Sequence, residues 1–296
     1  MKNDHGGIDV GSAATKMNLL FAINRNFTDL LCTCLRSIAQ NGGADSYDAY
    51  ILHSDLLEED QAMIQMAAGE KLTCRFIPVE ESAVAGFPES SRYPKQIYYR
   101  LMAPLLLPKE LDRILYLDVD LVVINPLGEL YATDFEGKYY VACSHVKAFL
   151  TKFNQVRLGV EDDVPYINTG MMVLNLQALR KDLTMELIRE TAQRKMHTFM
   201  LPDQDLLTVM HGDKIKLVDT MRYNLSDRML NIYNANPKNQ KRDLQWVREN
   251  AVIIHYYGKN KPWKDGYIGI LGGFYSEFRT APETEAKLPQ AARTAK

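Results

Sequence analysis

The sequence of 296 residues has few of the features of membrane, disulfide-rich or nucleic-acid-binding proteins. Its four cysteines form neither a CxxC pair nor a repeated metal-site spacing, so we interpret them as reduced, mostly buried thiols. No apolar run reaches the roughly 20 residues that cross a bilayer, and the first residues lack a signal-peptide pattern. A formal net charge of -2 gives no long-range attraction for nucleic acid or anionic lipid. We expect a cytoplasmic protein without a nucleic-acid partner and with at most peripheral membrane association.

The glycine-rich loops that hold phosphates in dinucleotide and P-loop proteins are absent. The first strand-to-helix junction, residues 21–27, has the sequence FAINRNF and contains neither GxGxxG nor GxxxxGK[ST]. Any phosphate-bearing ligand must therefore be held by a local cation, a metal ion or backbone amides.

Strand-like and helix-like apolar periods alternate along the chain from Met17 onward. Strands are predicted at residues 19–23, 49–52, 74–77, 114–117, 141–143, 171–176, 215–218 and 252–254. Helices are predicted at residues 30–38, at residues 56–68 with Gly69 as the closing residue, and from near Pro94, Pro202 and Leu244. Because such spacing requires crossover connections, we expect an α/β fold with a mostly parallel central sheet flanked by helices.

Residues 17–275 are expected to form one domain. Residues 1–16 have no helical or strand period, and we expect a disordered or artificially added tail there. Residues 276–296 are expected to form a polar C-terminal tail.

Two aspartates interrupt an apolar run at residues 114–124, ILYLDVDLVVI. A carboxylate in a buried strand is costly without a partner, and a bound cation is one such partner. If the backbone is extended through the run, Asp118 and Asp120 project from one face, and a Mg²⁺ or Mn²⁺ ion could use both. The alternative is structural: one aspartate ends the strand, and the other is solvated or paired with Arg113.

A second cluster, residues 252–263, has the sequence VIIHYYGKNKPW. His255 could complete a manganese shell, Gly258 permits a close backbone approach to a diphosphate, and Lys261 supplies a positive charge. The alternatives are that His255 is a core histidine bonded to a carbonyl and that Trp263 packs beneath a loop.

Taken together, these segments resemble glycosyltransferase family 8, the retaining family that includes bacterial lipopolysaccharide galactosyl- and glucosyltransferases and glycogenin. The matching pieces occur in the family's order at residues 21–26, 98–101, 115–120, 168–170, 202–205 and 255–263. The resemblance implies a single domain of GT-A type and a hexosyltransferase that moves glucose or galactose from UDP-glucose or UDP-galactose to a saccharide acceptor.

The resemblance also implies roles for individual residues. The Mn²⁺ ligands, with Mg²⁺ as an alternative ion, would be Asp118, Asp120 and His255. The donor-binding residues would be Ala22, Asn24 and Asn26 at uridine, Asp118 and Val119 near uracil or ribose, Gly258 and Lys261 at the diphosphate, and Arg100 and Asn168 at the sugar or leaving phosphates. The catalytic residues would be Asp203 and Gln204. Because an amide is a poor nucleophile, front-face attack assisted by both residues fits better than a covalent intermediate on Gln204.

Three of these residues also have structural interpretations. Arg100 could pair with a helix-face acid, Asn168 could cap a turn, and Asp203 after Pro202 could begin a helix. The chain departs from the family pattern at Arg25, where many relatives carry an acid, and at residues 144–147, where a sugar-binding acid is absent.

Two other functions remain open from the sequence. In a phosphohydrolase, Asp118 would be the nucleophile and Asp120 the acid, although Val122 stands where a threonine is usual. In a nucleotide-sugar binding protein without turnover, the pocket would remain, and Arg25 favours this alternative.

Overall fold

The computed structural model describes residues 15–87, 95–144 and 148–279, and in these ranges the chain forms nine strands and twelve α-helices. The strands are β1 Lys16–Ile23, β2 Ser46–His53, β3 Leu72–Pro78, β4 Arg113–Leu117, β5 Leu121–Val123, β6 Tyr140–Cys143, β7 Asn168–Asn175, β8 Ile215–Leu217 and β9 Ile253–His255. The helices are α1 Thr28–Asn41, α2 Glu58–Ala68, α3 Tyr99–Leu106, α4 Gly128–Ala132, α5 Ala148–Leu158, α6 Leu176–Asp182, α7 Met185–Lys195, α8 Pro202–His211, α9 Thr220–Tyr223, α10 Asp227–Ala235, α11 Leu244–Asn250 and α12 Gly272–Ser276. Pro94, residues 145–147 and most of both predicted tails lie outside the described residues.

Seven strands form one sheet in the order β3-β2-β1-β4-β7-β6-β8. Strands β3, β2, β1 and β4 run parallel to one another, and β6 runs parallel to β8. Strand β7 is antiparallel to both of its neighbours, β4 and β6. The predicted α/β fold with a mostly parallel central sheet is confirmed.

Helices cover both faces of this sheet. Successive strand residues point to opposite faces, so each face presents apolar side chains against which helices pack. Leu19 and Phe21 of β1 pack into one core cluster with residues of α1 and α2. Leu20, between them, packs into a second cluster with residues of α3, α6, α7 and α8. All three side chains are fully buried, so the sheet is the central layer of the fold.

The aspartate pair lies between two strands: the strand predicted at residues 114–117 is β4, and the extended backbone considered for the whole apolar run is interrupted after Leu117. Strand β4 ends at Leu117, and β5, from Leu121, leaves the large sheet to pair with β9 in a second, two-stranded sheet. The Asp118 amide donates to the Gly170 carbonyl at 2.7 Å, and the Asp120 carbonyl accepts from the Tyr256 amide at 2.9 Å. The turn between the sheets leaves the Asp118 and Asp120 side chains 26% and 19% exposed, which avoids the full cost of burying two carboxylates.

Candidate active site at the carboxyl ends of the strands

A cavity of about 380 Å³ opens where β1 and β4 end. Its walls are formed by Ala22, Ile23, Asn24, Asn26, Phe27, Leu30, Gln96, Ile97, Arg100, Asp118, Val119, Asp120, Lys261, Trp263 and Lys264. Open α/β sheets bind ligands at this edge. The cavity therefore brings together eight of the predicted site residues from distant parts of the sequence.

A larger cavity, of about 490 Å³, lies where β2 and β3 begin, and it includes Asn41, Asp45, Lys71 and Asn125. The amino-terminal ends of parallel strands are the opposite edge from that at which such sheets bind ligands. Asp45 is also engaged by the backbone amide and hydroxyl of Thr15. We therefore assign the functional site to the smaller cavity.

Asp120 is held by two groups from the segment that begins with β9. The Nε2 atom of His255 lies 2.9 Å from Asp120 Oδ1, and Lys261 Nζ donates to Asp120 Oδ2. Burial favours the neutral form of Asp120, but His255 and Lys261 outweigh it and hold the pKa of Asp120 well below its usual range. Asp120 is therefore anionic at neutral pH.

Asp118 has different partners, on the side of the site that faces α3 and α8. Its Oδ1 atom accepts from Arg100 Nη2 at 3.0 Å and from the Tyr116 hydroxyl at 2.6 Å. Arg100 also contacts Asp203 Oδ2 at 3.2 Å and the Thr169 carbonyl at 3.2 Å. Burial alone would lower the pKa of Arg100, but Asp118, Tyr116 and Asp203 raise it above its ordinary value, so the guanidinium stays charged. The structural interpretation of Arg100 is correct in part, because Asp203 is an acid of α8.

Asp118, Asp120 and His255 each offer a ligand atom, and these three atoms lie within 4.8 Å of one another. Ligand atoms at about 2.1 Å from one ion are at most about 4.2 Å apart, so small side-chain movements suffice. Two carboxylates and an imidazole suit Mn²⁺ or Mg²⁺. The residues present thus fit a divalent cation.

The first turn of α8 contains Asp203 and Gln204. Asp203 is buried and accepts from the Thr169 hydroxyl at 2.6 Å as well as from Arg100. The Gln204 amide oxygen is buried, and no partner for it occurs among the described residues. This oxygen therefore has an unused capacity to accept a hydrogen bond.

The loop between β1 and α1 directs the Arg25 side chain away from the cavity. The Asn24 side chain accepts from the Asn26 amide at 3.1 Å, while both residues line the cavity. Arg25 is absent from the cavity wall: its Nε contacts Asp60 at 2.9 Å and its amide donates to Asp55. The side chain of Arg25 is thus held by α2, outside the cavity.

Five predicted residues lie off the cavity wall: Asn168, Asp203, Gln204, His255 and Gly258. Gly258 has φ of +91°, a conformation that glycine adopts most readily, and it precedes Lys261 by three residues. Asn168 is 6% exposed and accepts from the Gly170 amide at 3.1 Å. This bond is the turn cap that the structural interpretation predicted, and it lies beside the site.

Several residues that the structure places at the site were not predicted from the sequence: Phe27, Leu30, Gln96, Ile97, Thr169 and Lys264. Gln96 lies four residues before Arg100, and this helical spacing is a signal that could have identified it. The side-chain amide of Gln96 donates to the Ser54 hydroxyl at 3.0 Å. For Thr169, the sequence offers only its position between Asn168 and Gly170.

The fold and site define an α/β protein in which two aspartates and a histidine cluster beside a cavity at the carboxyl edge of its sheet. The sequence profile of Glycosyl transferase family 8 matches residues 18–266, and the chain belongs to this family of glycosyltransferases.

Characterised relatives are similar over most of the chain. A lipopolysaccharide 1,2-glucosyltransferase of Escherichia coli is 26% identical over 84% of this chain and 73% of its own length. A lipopolysaccharide 1,3-galactosyltransferase of Salmonella typhimurium is 25% identical over 85% of this chain and 74% of its own length.

Solved structures share the fold. An active-site mutant of LgtC superimposes with a TM-score of 0.77 at 22% identity, covering 94% of this chain and 99% of LgtC. The galactosyltransferase LgtC in complex with donor and acceptor sugar analogues has a TM-score of 0.75 at 22% identity, covering 92% of this chain and 100% of LgtC. Among the helices of the described ranges, none is sufficiently long and apolar to span a membrane.

Proposed function

We propose that this chain is a retaining hexosyltransferase that moves glucose or galactose from a UDP-sugar to a hydroxyl of a saccharide acceptor, with Mn²⁺ bound by Asp118, Asp120 and His255. The observation that carries the proposal is the approach of three ligand atoms to within 4.8 Å beside the cavity. The relatives named as glucosyl- and galactosyltransferases support the choice of donor sugars.

The donor would lie along the cavity with its nucleoside towards β1. Ala22, Asn24, Asn26 and Val119 line that part of the wall and offer amide and backbone groups to uridine. The predicted diphosphate residues, Gly258 and Lys261, belong to the segment after β9, and the Lys261 ammonium lies against Asp120. The diphosphate is therefore assigned to the part of the cavity wall next to Lys261.

Bond cleavage requires that the negative charge growing on UDP be stabilised. A divalent cation held by Asp118, Asp120 and His255 would supply Lewis-acid charge there. Lys261 adds a second positive charge, and Arg100 offers a third that is already oriented by Asp118 and Asp203. In many enzymes, preorganised charges of this kind lower the activation barrier more than any other effect.

The residues of α8 are assigned to the sugar. The unpartnered Gln204 amide oxygen would accept a hydrogen bond from a sugar hydroxyl. Asp203 is occupied by Arg100 and Thr169, so its role is to hold these groups in place. Asn168 would approach the sugar with its amide NH₂, since its oxygen accepts from Gly170. This arrangement favours front-face attack over a covalent intermediate.

The phosphohydrolase alternative is not retained, because the chain belongs to a glycosyltransferase family. The non-catalytic binding protein is an outcome of the test below.

The test is a screen for UDP release from UDP-glucose and UDP-galactose with and without Mn²⁺, beside a simple phosphate ester and an acceptor panel. We expect Mn²⁺-dependent UDP release and no ester hydrolysis. Asp120→Asn should lower turnover at least about tenfold, whereas Asp112→Asn, at an exposed position just before β4, should not. Donor binding without any turnover would indicate the non-catalytic protein and contradict the proposal.

A further inference from the structure

A chain of buried hydrogen bonds connects the backbone of β7 to the imidazole of His255. The Gly170 amide donates to Asn168 Oδ1 at 3.1 Å, and Asn224 Nδ2 donates to the same oxygen at 3.2 Å. The Asn224 Oδ1 atom lies 2.7 Å from His255 Nδ1. Asn224 and His255 are 0% and 1% exposed, so water does not compete for these bonds.

The direction of each bond follows from the first one. A backbone N–H can only donate, so the Asn168 atom that faces Gly170 is the amide oxygen. Asn224 must then present its NH₂ group to that oxygen, which leaves its own oxygen towards the imidazole. An amide oxygen can only accept, and therefore His255 Nδ1 carries a proton.

The opposite nitrogen of the ring is the one that faces the carboxylates. His255 Nε2 lies 2.9 Å from Asp120 Oδ1 and 3.8 Å from Asp118 Oδ2. With a proton held on Nδ1 by Asn224, Nε2 is the nitrogen whose lone pair a cation would use in place of the hydrogen bond to Asp120. We propose that Asn224 is a positioning residue that fixes the ring orientation and the Nδ1-protonated form of His255, and thereby sets the affinity of the cation site. This inference rests on the metal site of the proposed function.

The backbone around Asn224 makes this support rigid. The Asn224 amide donates to the Thr220 carbonyl at 3.0 Å and so closes α9. The next residue, Leu225, exchanges two backbone bonds with β9: its amide donates to Ile253 at 3.0 Å, and its carbonyl accepts from the His255 amide at 2.7 Å. The donor and acceptor of the side-chain bond are thus held by neighbouring backbone bonds.

The test compares two variants that both lose the bond to Asn168. Asn224→Ala removes the acceptor for Nδ1–H, whereas Asn224→Asp keeps an acceptor there. Mn²⁺ affinity is measured by EPR titration of the purified chain without any donor. We expect the alanine variant to bind Mn²⁺ about 10- to 100-fold more weakly than wild type. The Mn²⁺ affinity of the aspartate variant should be close to that of wild type. Asn175→Ala, which removes a helix cap at the far end of β7, should leave Mn²⁺ affinity unchanged.

The outcomes separate this inference from the proposed function. If wild type binds Mn²⁺ and the alanine variant binds it equally well, the inference fails and the metal site stands. Equal weakening in the alanine and aspartate variants indicates a purely structural role and also overturns the inference. If the wild-type chain binds no Mn²⁺, both fail. Urea denaturation checks that each variant is folded, and Asn224→Leu replaces the alanine variant if that one does not fold.

Discussion

Asp118 and Asp120 belong to one short turn, but they contact different partners on the two sides of the site. On the α3 and α8 side, Asp118 lies in a network with Tyr116, Asp203 and Arg100, whose side chain is 9% exposed. On the β9 side, Asp120 lies against His255 and Lys261, two groups from one late segment. Arg100 is a fixed part of the core, whereas Lys261 reaches the site from a loop. We infer that Asp118 mainly stabilises the fold through its contacts with Arg100 and Tyr116. Asp120, by contrast, mainly serves ligand binding.

The largest expected effect is on the stability of the α3 and α8 side. Arg100→Met removes a buried cation that touches two carboxylates, and it should lower the free energy of unfolding by about 3–5 kcal/mol, as for other broken buried pairs. Urea denaturation measures this change. Arg222→Met, which breaks an exposed pair with Glu129, should cost about 1 kcal/mol or less. Equal losses would show that the Arg100 network is not part of the scaffold.

On the β9 side, we expect an effect on binding. Lys261→Met removes a charge assigned to the diphosphate, and charged hydrogen bonds contribute about 1.5–3 kcal/mol, so UDP affinity should fall about tenfold to a hundredfold. Calorimetry with UDP and Mn²⁺ measures the affinity, and the exposed Lys259→Met is the matched control. Unfolding free energy should fall less than in Arg100→Met. A wild-type UDP affinity would contradict the assignment of Lys261.

The smallest expected effect concerns Gly170, where the two sides meet. A Cβ atom there would lie 2.3 Å from His255 Cε1 and 2.6 Å from Asp118 Oδ2. Gly170→Ala should therefore cost about 1–3 kcal/mol of stability through overpacking, and it should weaken Mn²⁺ binding as well. Gly128→Ala, whose Cβ would meet only Met17 Cε at 3.9 Å, is the control. If Gly170→Ala leaves both stability and Mn²⁺ affinity unchanged, Asp118 and His255 are not tightly packed against residue 170.

The difference between the two sides also explains what the sequence could predict. Strands β1 to β4 and helices α1 and α2 follow from local periodicity, since each apolar segment forms one element. The acid pair was found because carboxylates are unusual in an apolar run, but the change of sheet after Leu117 depends on pairing with β9, far along the chain. Asn224 could not be found, because a single asparagine has no period, and its role arises only from the contact with His255.

The most direct test of the account is the stoichiometry and affinity of Mn²⁺ binding to the wild-type chain and to Asp120→Asn. Because Asp120 contacts His255 and lies with Asp118 in one cluster, we expect one bound ion per wild-type chain and at least about tenfold weaker binding in the variant. EPR titration, with Asp112→Asn as the matched control, makes the measurement. Equal Mn²⁺ binding in wild type and Asp120→Asn would contradict the assignment of the cation to this cluster.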